Sequence, residues 1–449
     1  MNFERLREKI LDENYPSEEE LEETRQKYRE ISDFIEDEFS RETHFAGSSG
    51  RGTCMKGDRD IDIFVLFPEE TGRQELEDRG LEIGKKVFDK FSGEHEIEYA
   101  EHPYTRGVIN GHEVEIVPCY EVGPENIKSA VDRTPHHSRW VKENLDEEQR
   151  RDVVLLKTFL RAADIYGSSL KTRGFSGYLC EVLVAHYGGF RQLVEAAVDW
   201  REDELIDPED HHEKLPEKLE EKFEDEPFVV IDPVDPERNV ASVLSRENFA
   251  RFIYRCWKFQ QEPGIHLFEE EDLRVAEFDV KHEIEQRGDF LVIEFDRPEG
   301  VEDVVYPQMR KTLSRFEDVL ENRNFRLFES GFHVGDEKTR LFFELDRKLP
   351  EVEELQGPKV FHGSEHIEQF TSKYDNTFVK DDRVYAKTER EFTDAKEYMK
   401  HFLSGELEQK GIPGRVAAEL QDYSFVNAAS GTEEWLKYLA KKLRIRRQE

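Results

Sequence analysis

Apolar residues recur at helical spacing through the first forty positions and then give way to alternation, so the chain opens as two helices followed by a strand. In the second helix Leu21, Tyr28, Ile31, Phe34, Ile35 and Phe39 fall on one face, and Ser17 with Glu20 three residues on is a capping-box spacing that starts it. The stretch at 60–67, DIDIFVLF, alternates strictly at its start. On a strand, Ile61, Ile63 and Val65 take one side while Asp60 and Asp62 take the other. The preceding helix should pack against this strand. A helix at about 73–91 and strands at 95–104 and 108–120 follow, and Asn110-Gly111 inside the last is a hairpin signal. The expectation is a small mixed or antiparallel sheet with helices on one face.

From about residue 139 the period returns to helical. RDVVLLKTFLRAADIYG and SGYLCEVLVAHYGGFRQLVEAAVDW read as two amphipathic helices separated by SSLKTRGFSG. Residues 201–226 are acidic and loop-like, and His211-His212 lies on this solvated stretch. DPERNVASVL reads as the start of a helix that runs to about residue 260, and the EPG at 262–264 marks a boundary. Beyond it, the strand FLVIEFDRP, a helix over YPQMRKTLSRFEDVLENRNF, a hairpin over FRLFESGFHVGDEKTRLFFELD, the segment DRVYAKTERE, a helix at 393–405 and the basic end KKLRIRRQE give an α+β region. Its strand, helix and two further strands follow a ferredoxin-like or RNA-recognition order, a topology that serves many functions. The fold class is therefore α+β, with expected domains at 1–138, 139–265 and 266–449.

Charge changes this picture in one respect. The chain carries 102 acidic and 65 basic residues, a net charge of -37. Disorder is one reading of such a composition, but 32 Phe and a hydrophobic share of 37% supply cores. The other is adaptation to a salt-rich cytosol, in which the Debye length falls to about 3 Å near 1 M salt and an acidic protein still meets nucleic acid through a local basic face. That reading predicts better folding above about 1 M KCl. Cys54, Cys119, Cys180 and Cys256 are far apart with no ligand spacing, which argues against a disulfide framework or a zinc site. The N-terminus lacks an apolar leader core and no run of 18 apolar residues occurs, so a cytoplasmic location is expected.

The chemistry concentrates in AGSSGRGTCMKGDRDIDIFVLF at 46–67. Gly47-Ser48 and Arg51 suit a triphosphate, because small residues let backbone N–H groups approach, a hydroxyl donates, and a guanidinium pairs with phosphate. An ordinary flexible loop has the same composition. Asp60 and Asp62 gain a third carboxylate in Glu115 of EVEIVP, with Glu113 in the same phase. Three carboxylates on adjacent strands are what a two-metal phosphoryl-transfer site needs, with two Mg²⁺ bridging attacking hydroxyl, α-phosphate and leaving pyrophosphate. A strand on an acidic surface also places acids at alternate positions.

Gly47-Ser48, then Asp60-Ile61-Asp62, then a distant Glu115 resembles the signature of the nucleotidyltransferase superfamily related to DNA polymerase β. GSSGRGTCMKGDRDIDIF, EHPYTRG, EVEIVPCY, KSAVDRTPHH and DPVDPERNVA fall in an order similar to the archaeal-type (class I) CCA-adding enzymes, tRNA nucleotidyltransferases, over nearly the whole chain. The resemblance implies a polymerase-β-like catalytic head, a helical neck and a tRNA-binding body and tail. It also implies Mg²⁺-dependent, template-free addition of C, C and A to a tRNA 3′ end from CTP and ATP. The third carboxylate of that family is more often Asp, where this chain has Glu115.

The same resemblance places Ser48 and Arg51 on the triphosphate, with His102, Thr134, His137, Lys157 and Tyr166 completing the nucleotide pocket and Arg238 selecting the base. Read without it, Lys157 is a snorkelling cation, His136-His137 a capped turn and Tyr166 a packing residue. Arg238, taken as lying near a helix N-terminus where a cation opposes the macrodipole, makes more sense facing a phosphate or base; a surface pair with Glu237 is the alternative. For tRNA, Lys171 and Arg173 of KTRGF, Lys359 of QGPKVFHG and the tail residues Lys441, Lys442, Arg444, Arg446 and Arg447 are the basic candidates, each also compatible with a solvated turn. A homodimer is one expectation for the assembly. A poly(A) polymerase or oligoadenylate synthetase, a small-molecule nucleotidyltransferase, and an RNA-binding protein with an inactive transferase domain remain the competing readings.

Overall fold

The computed structural model describes residues 3–99, 101–270 and 277–445. It divides into two compact units, 1–271 and 272–449.

The first unit opens with helices α1 (Phe3–Asn14) and α2 (Glu18–Phe39). Ser17 caps α2 as its spacing requires, accepting from the Glu20 amide while the Glu20 side chain bonds back to the Ser17 amide. Strand β1 (Thr43–Phe45), the short helix α3 (Gly47–Arg51), strand β2 (Asp60–Pro68), helix α4 (Arg73–Phe91) and strands β3 (Glu94–Tyr99), β4 (Pro103–Ile109) and β5 (His112–Glu121) complete the sheet, in the order β1-β2-β5-β4-β3. The sheet is mixed: β2 and β5 run parallel, and the other neighbours are antiparallel. Asn110 (φ 52°) and Gly111 (φ 83°) make the β4–β5 hairpin turn, both in the left-handed region that a type I′ turn demands. The segment expected as one strand over 95–104 splits between β3 and β4, which pair with each other.

Alternation on β2 is obeyed. Ile61, Ile63 and Val65 are fully buried with Ile31 and Ile35 of α2 and Leu76, Ile83 and Val87 of α4. Both helices therefore cover one face, and the acidic positions of β2 look out from the other. On that second face Phe64, Val117, Cys119 and Ala46 form a smaller apolar patch.

Helix α5 (Arg133–Asn144) and helix α6 (Glu147–Arg161) lead into a helical core. The apolar run expected as one further helix is two, α7 (Gly177–Tyr187) and α8 (Phe190–Ala197), because Gly188 (φ 83°) and Gly189 (φ 146°) end the first in conformations a helix cannot contain. The acidic loop holds a short strand β6 (Glu204–Ile206) and helix α9 (Glu217–Lys222). There His211 and His212 bond the carbonyls of Pro233 and Pro236, a structural use of both rings. Strands β7 (Phe228–Asp232) and β8 (Asp235–Asn239) form a hairpin, and α10 (Arg246–Gln261) starts only at Ser245, whose hydroxyl accepts from Asn248. The expected helix start at DPERNVASVL is thus a strand. Asn239 explains it, since its side-chain oxygen accepts from the amides of Val230 and Ala241 and fixes an extended turn in place of a helical one.

Helix α1 packs with α6 rather than with the sheet: Leu6, Ile10 and Leu11 join the helical core of Val153, Leu156, Phe159 and Leu160. Arg7 fixes the pairing through Asp152 at 2.6 Å and Glu148 at 2.9 Å.

In the second unit, helix α11 (Glu277–Arg287), strand β9 (Asp289–Asp296), helix α12 (Glu302–Glu321) and strands β10 (Leu327–Val334) and β11 (Lys338–Leu345) give the expected strand, helix and hairpin. Strands β12 (Val352–Lys359), β13 (Thr377–Lys380) and β14 (Arg383–Glu389) form a separate sheet, with helix α13 (Ser364–Thr371) beside β12. Helices α14 (Ala395–Leu403) and α15 (Gly414–Glu419), strand β15 (Ser424–Val426) and helix α16 (Glu433–Lys442) close the unit. β15 completes a four-stranded sheet in the order β10-β11-β9-β15. Arg446 and Arg447 lie outside the described residues. No helix among the described residues is long and apolar enough to cross a membrane.

Candidate active site

The parallel pairing of β2 and β5 sets Asp62 opposite Glu115 and Asp60 opposite Glu113. All four side chains leave the same face of the sheet, and the separation between strands is the only spacing that divides each pair. Burial, together with the negative charges of Asp58 and Asp62, raises the Asp60 carboxyl to about 6. Burial, together with Asp62 and opposed by Arg106, raises Glu115 to about 7. Asp62 is also raised, burial outweighing the favourable charges of Arg51 and Arg106. Clustered carboxylates that resist ionising are the signature of an incompletely balanced negative site.

Arg106, on β4 directly across from Glu115, supplies part of the balance. Its Nη2 donates to Glu113 at 2.9 Å, and its Nε lies 3.5 Å from Glu115. This arginine was not singled out in the sequence, where TRG fell between the two expected strands; in the structure it lies within β4.

Gly47 sits over the site. A Cβ added there would fall 1.7 Å from Oδ2 of Asp62, and the residue has φ +64°. The amide of Ala46 also donates to the Asp62 carbonyl at 2.9 Å, so the start of α3 is tied to the acidic strand. Gly47→Ala should both strain the turn and push Asp62 aside. The expected result is loss of catalysis with a lowered melting temperature, read by activity assay and circular dichroism; normal turnover in this variant would contradict the close approach.

Several of the other expected residues fall into two groups that share α7. In the first, Lys157 is 1% exposed and donates from Nζ to the Thr53 carbonyl at 2.7 Å, with the Tyr166 ring centroid 6.0 Å away. Arg51 donates from Nε to Oε1 of Glu181 at 2.9 Å, and the Thr53 hydroxyl donates to the same oxygen. Glu181 is fully buried and its Oε2 has no partner. Burial lowers the Lys157 ammonium, opposed by the Glu181 charge. Lys157 is therefore not a snorkelling side chain. In the second group, His137 Nε2 meets Asp232 Oδ2 at 2.9 Å and its ring stacks on Tyr178 at 4.0 Å. Arg238 donates to the same Oδ2 at 2.6 Å, and the Tyr178 hydroxyl donates to Oδ1 at 3.2 Å. Arg238 thus stands on strand β8 and owes its position to Asp232, which overturns the argument from a helix N-terminus. Although burial opposes it, the hydrogen bonds and charges of His137 and Arg238 bring the Asp232 carboxyl down to about 2. Thr134 lies one turn before His137 in the first turn of α5.

His102 is not brought into either group. It is buried, faces Glu77 at 3.2 Å, and meets the Tyr120 ring edge-on. Tyr120 is five residues along β5 from Glu115, roughly 17 Å at the strand rise. Lys359 pairs with Asp382 at 2.9 Å. Arg173 has φ 51°, and its carbonyl accepts from Ser245 and Asn248, so this loop is anchored to the start of α10; Lys171 precedes it.

Among the described residues no three His, Cys, Asp or Glu side chains stand close enough together to hold an ion. Even so, Asp60, Asp62 and Glu115 fit a divalent cation in donor type, since all are carboxylates, and in their unrelieved negative charge.

A parallel β2–β5 pair carrying the carboxylates beside a glycine-serine turn defines the chain as a nucleotidyltransferase, and a model of the nucleotidyltransferase domain matches residues 28–137. Models described as tRNA nucleotidyltransferase, second domain, and CCA-adding enzyme, C-terminal domain, match 151–269 and 287–426. The CCA-adding enzyme of Methanocaldococcus jannaschii is 39% identical over 92% of this chain and 93% of its own length. That of Archaeoglobus fulgidus is 38% identical over 90% of each, and that of Haloarcula marismortui 39% identical over 84% and 82%. The chain belongs to the CCA-adding enzyme family. Among solved structures, Cid1 poly(U) polymerase overlays on 60% of this chain and 98% of its own with a TM-score of 0.49 at 13% identity.

Proposed function

We propose that this chain adds C, C and A in turn to the 3′ end of tRNA from CTP and ATP, with Mg²⁺ and without a nucleic-acid template, releasing pyrophosphate. The observation that carries the catalytic assignment is the register of Asp62 against Glu115 under the close approach of Gly47.

Asp60, Asp62 and Glu115 would hold the divalent ions, whose chemistry when bound would be to favour the ionised tRNA 3′-hydroxyl and to offset charge on the α-phosphate and leaving pyrophosphate. Ser48 and Arg51 meet the triphosphate, and Lys157 and Tyr166 support that end of the pocket from below. Glu181 holds Arg51 in place, and its charge opposes the lowering of the Lys157 ammonium by burial. Arg238, one-third exposed and gripped by Asp232, keeps guanidinium donors for the acceptor edges of cytosine and adenine. His137 and Tyr178 lock Asp232, so the base-facing arginine is preorganised. Thr134 sits on the same helix as His137. The sheet core around β2 and the helical core around α6 support a catalytic head (1–138) and a nucleotide-recognising neck (139–265). Residues 266–449, with Lys359, together with Lys171 and Arg173, serve the tRNA.

Purified protein incubated with a tRNA ending before CCA, with labelled CTP and ATP in high KCl, should extend it by three nucleotides. Addition of EDTA should stop the extension and excess Mg²⁺ restore it. No extension, or long A tracts made without CTP, would replace this reading with a binding protein or a poly(A) polymerase.

A further inference from the structure

Against an excess of acid in the chain as a whole, 102 residues to 65 basic, one cavity has only basic residues among its charged lining. It measures about 610 Å³, lies between α2, β1, α3 and the α5–α6 junction, and is lined by Arg25, Arg29, Arg51, Lys142 and Arg150 with no carboxylate. Such segregation is opposite to what chance would place on this surface.

The cations are poorly satisfied by the protein itself. Arg25 and Arg29 pair with Glu18 at 3.2 Å and Glu22 at 2.9 Å, all on the exposed side of α2, and pairs of that kind are worth about 0–1 kcal/mol and exchange readily. Lys142 and Arg150 have no carboxylate partner among the described residues; Arg150 Nη2 donates only to the Lys142 carbonyl, at 3.3 Å. Buried polar atoms around the cavity are orphaned as well. His44 Nε2 and Arg150 Nε have no partner, and Ser49 Oγ, on a residue 8% exposed, has none beyond the weak thiol of Cys54. Burial and the charges of Lys142, Arg139 and Arg51 hold the His44 imidazole down to about 4, so at neutral pH it offers a polar nitrogen without adding charge. The buried orphaned polar atoms are costly unless something completes them, and the cations at the rim favour an anion.

The cavity is separate from the carboxylate cluster. Gly47, at one end of α3, faces Asp62, whereas Ser49, Gly50, Arg51 and Gly52, at the other end, face the cavity. Only Arg51 belongs to both surroundings.

We propose that this cavity is a second phosphate-binding site, taking phosphate oxyanions next to the catalytic pocket. The two sources are the phosphodiester backbone of the RNA substrate and the inorganic pyrophosphate leaving the reaction. Hydroxyl and imidazole groups bond the oxygens, and the Lys142, Arg150, Arg25 and Arg29 side chains neutralise them. The sources, but not the site, rest on the function proposed above.

The test uses the full chain with two double variants, Lys142→Gln/Arg150→Gln and Arg25→Gln/Arg29→Gln, none of them in the catalytic or nucleotide-binding set. Inorganic pyrophosphate is titrated calorimetrically, and a tRNA lacking CCA is titrated over a range of KCl. For an RNA backbone site, the tRNA Kd rises about tenfold and the slope of log K against log salt becomes shallower by roughly 1–2, as expected for one or two lost phosphate contacts. For a pyrophosphate site, the pyrophosphate Kd rises about tenfold and tRNA binding is unchanged. Both ligands bound within twofold of the parent overturns the proposal. The Arg25/Arg29 pair is exposed, so its variant keeps the test alive if the other fails to fold. Because pyrophosphate binding needs no turnover, absence of CCA addition by the parent protein would count against the function and leave this result standing.

Discussion

Asp62→Asn should abolish nucleotide addition, reducing kcat at least about a thousandfold, well beyond the roughly 10–100-fold effect of losing a group that merely supports a metal ligand. Asp62 is the carboxylate placed centrally, with Asp60 two residues away on its own strand and Glu115 opposite on β5. Folding should survive, because burial already disfavours the charged form of Asp62 and a neutral amide removes repulsion with Asp60 and Glu115. A melting temperature equal to or above that of the parent, together with lost activity in the tRNA extension assay, is the expected pair of results. Activity within tenfold of the parent would remove Asp62 from the metal set.

Glu181→Ala should produce the largest loss of stability. The side chain is fully buried, Arg51 is nearly so, and Lys157 is enclosed beside them, so removal leaves two cations facing each other away from water. Breaking a buried pair by deleting one partner costs about 3–5 kcal/mol. Urea unfolding of the first unit, followed through Trp140, Trp200 and Trp257, should show that loss at unchanged slope. A shift below about 1 kcal/mol would mean that Arg51 and Lys157 find solvent or another anion. In either case Arg51 loses its anchor, and the KM for nucleotide should rise.

The sheet was legible because its signals are local. Alternation over 60–67, the Asn110-Gly111 turn and the capping box each act within a few residues, and all three appear where expected. Strand alternation also predicted which side of β2 the carboxylates take. The pocket was harder to read, because its logic is long-range. Lys157 in VVLLKTFL and Glu181 in YLCEVLV each break an apolar helix, and two such opposite anomalies invite pairing, but the sequence alone does not say that they meet at Thr53. Asp232 closes an apolar strand and looks like a simple strand end until His137, Tyr178 and Arg238 converge on it. Arg238 was misplaced because NVASVL carries apolar residues that suit a helix, while the deciding group was the Asn239 side chain. His102 lay in a segment similar to the family's, yet the antiparallel course of β4 carries it away from the carboxylate end of β5.

The pairing of α1 with α6 also has a consequence for how the protein is made. Arg7 and its partner Asp152 are 145 residues apart in sequence. At a synthesis rate of about 5–20 residues per second, the first helix is exposed for roughly 7–30 s before the surface it covers has been translated. Leu6, Ile10 and Leu11 are then an unshielded apolar stripe on the nascent chain while the sheet downstream is assembling. Helix α1 is thus made well before the helix it packs on, and the many charges it carries keep it soluble in the interval.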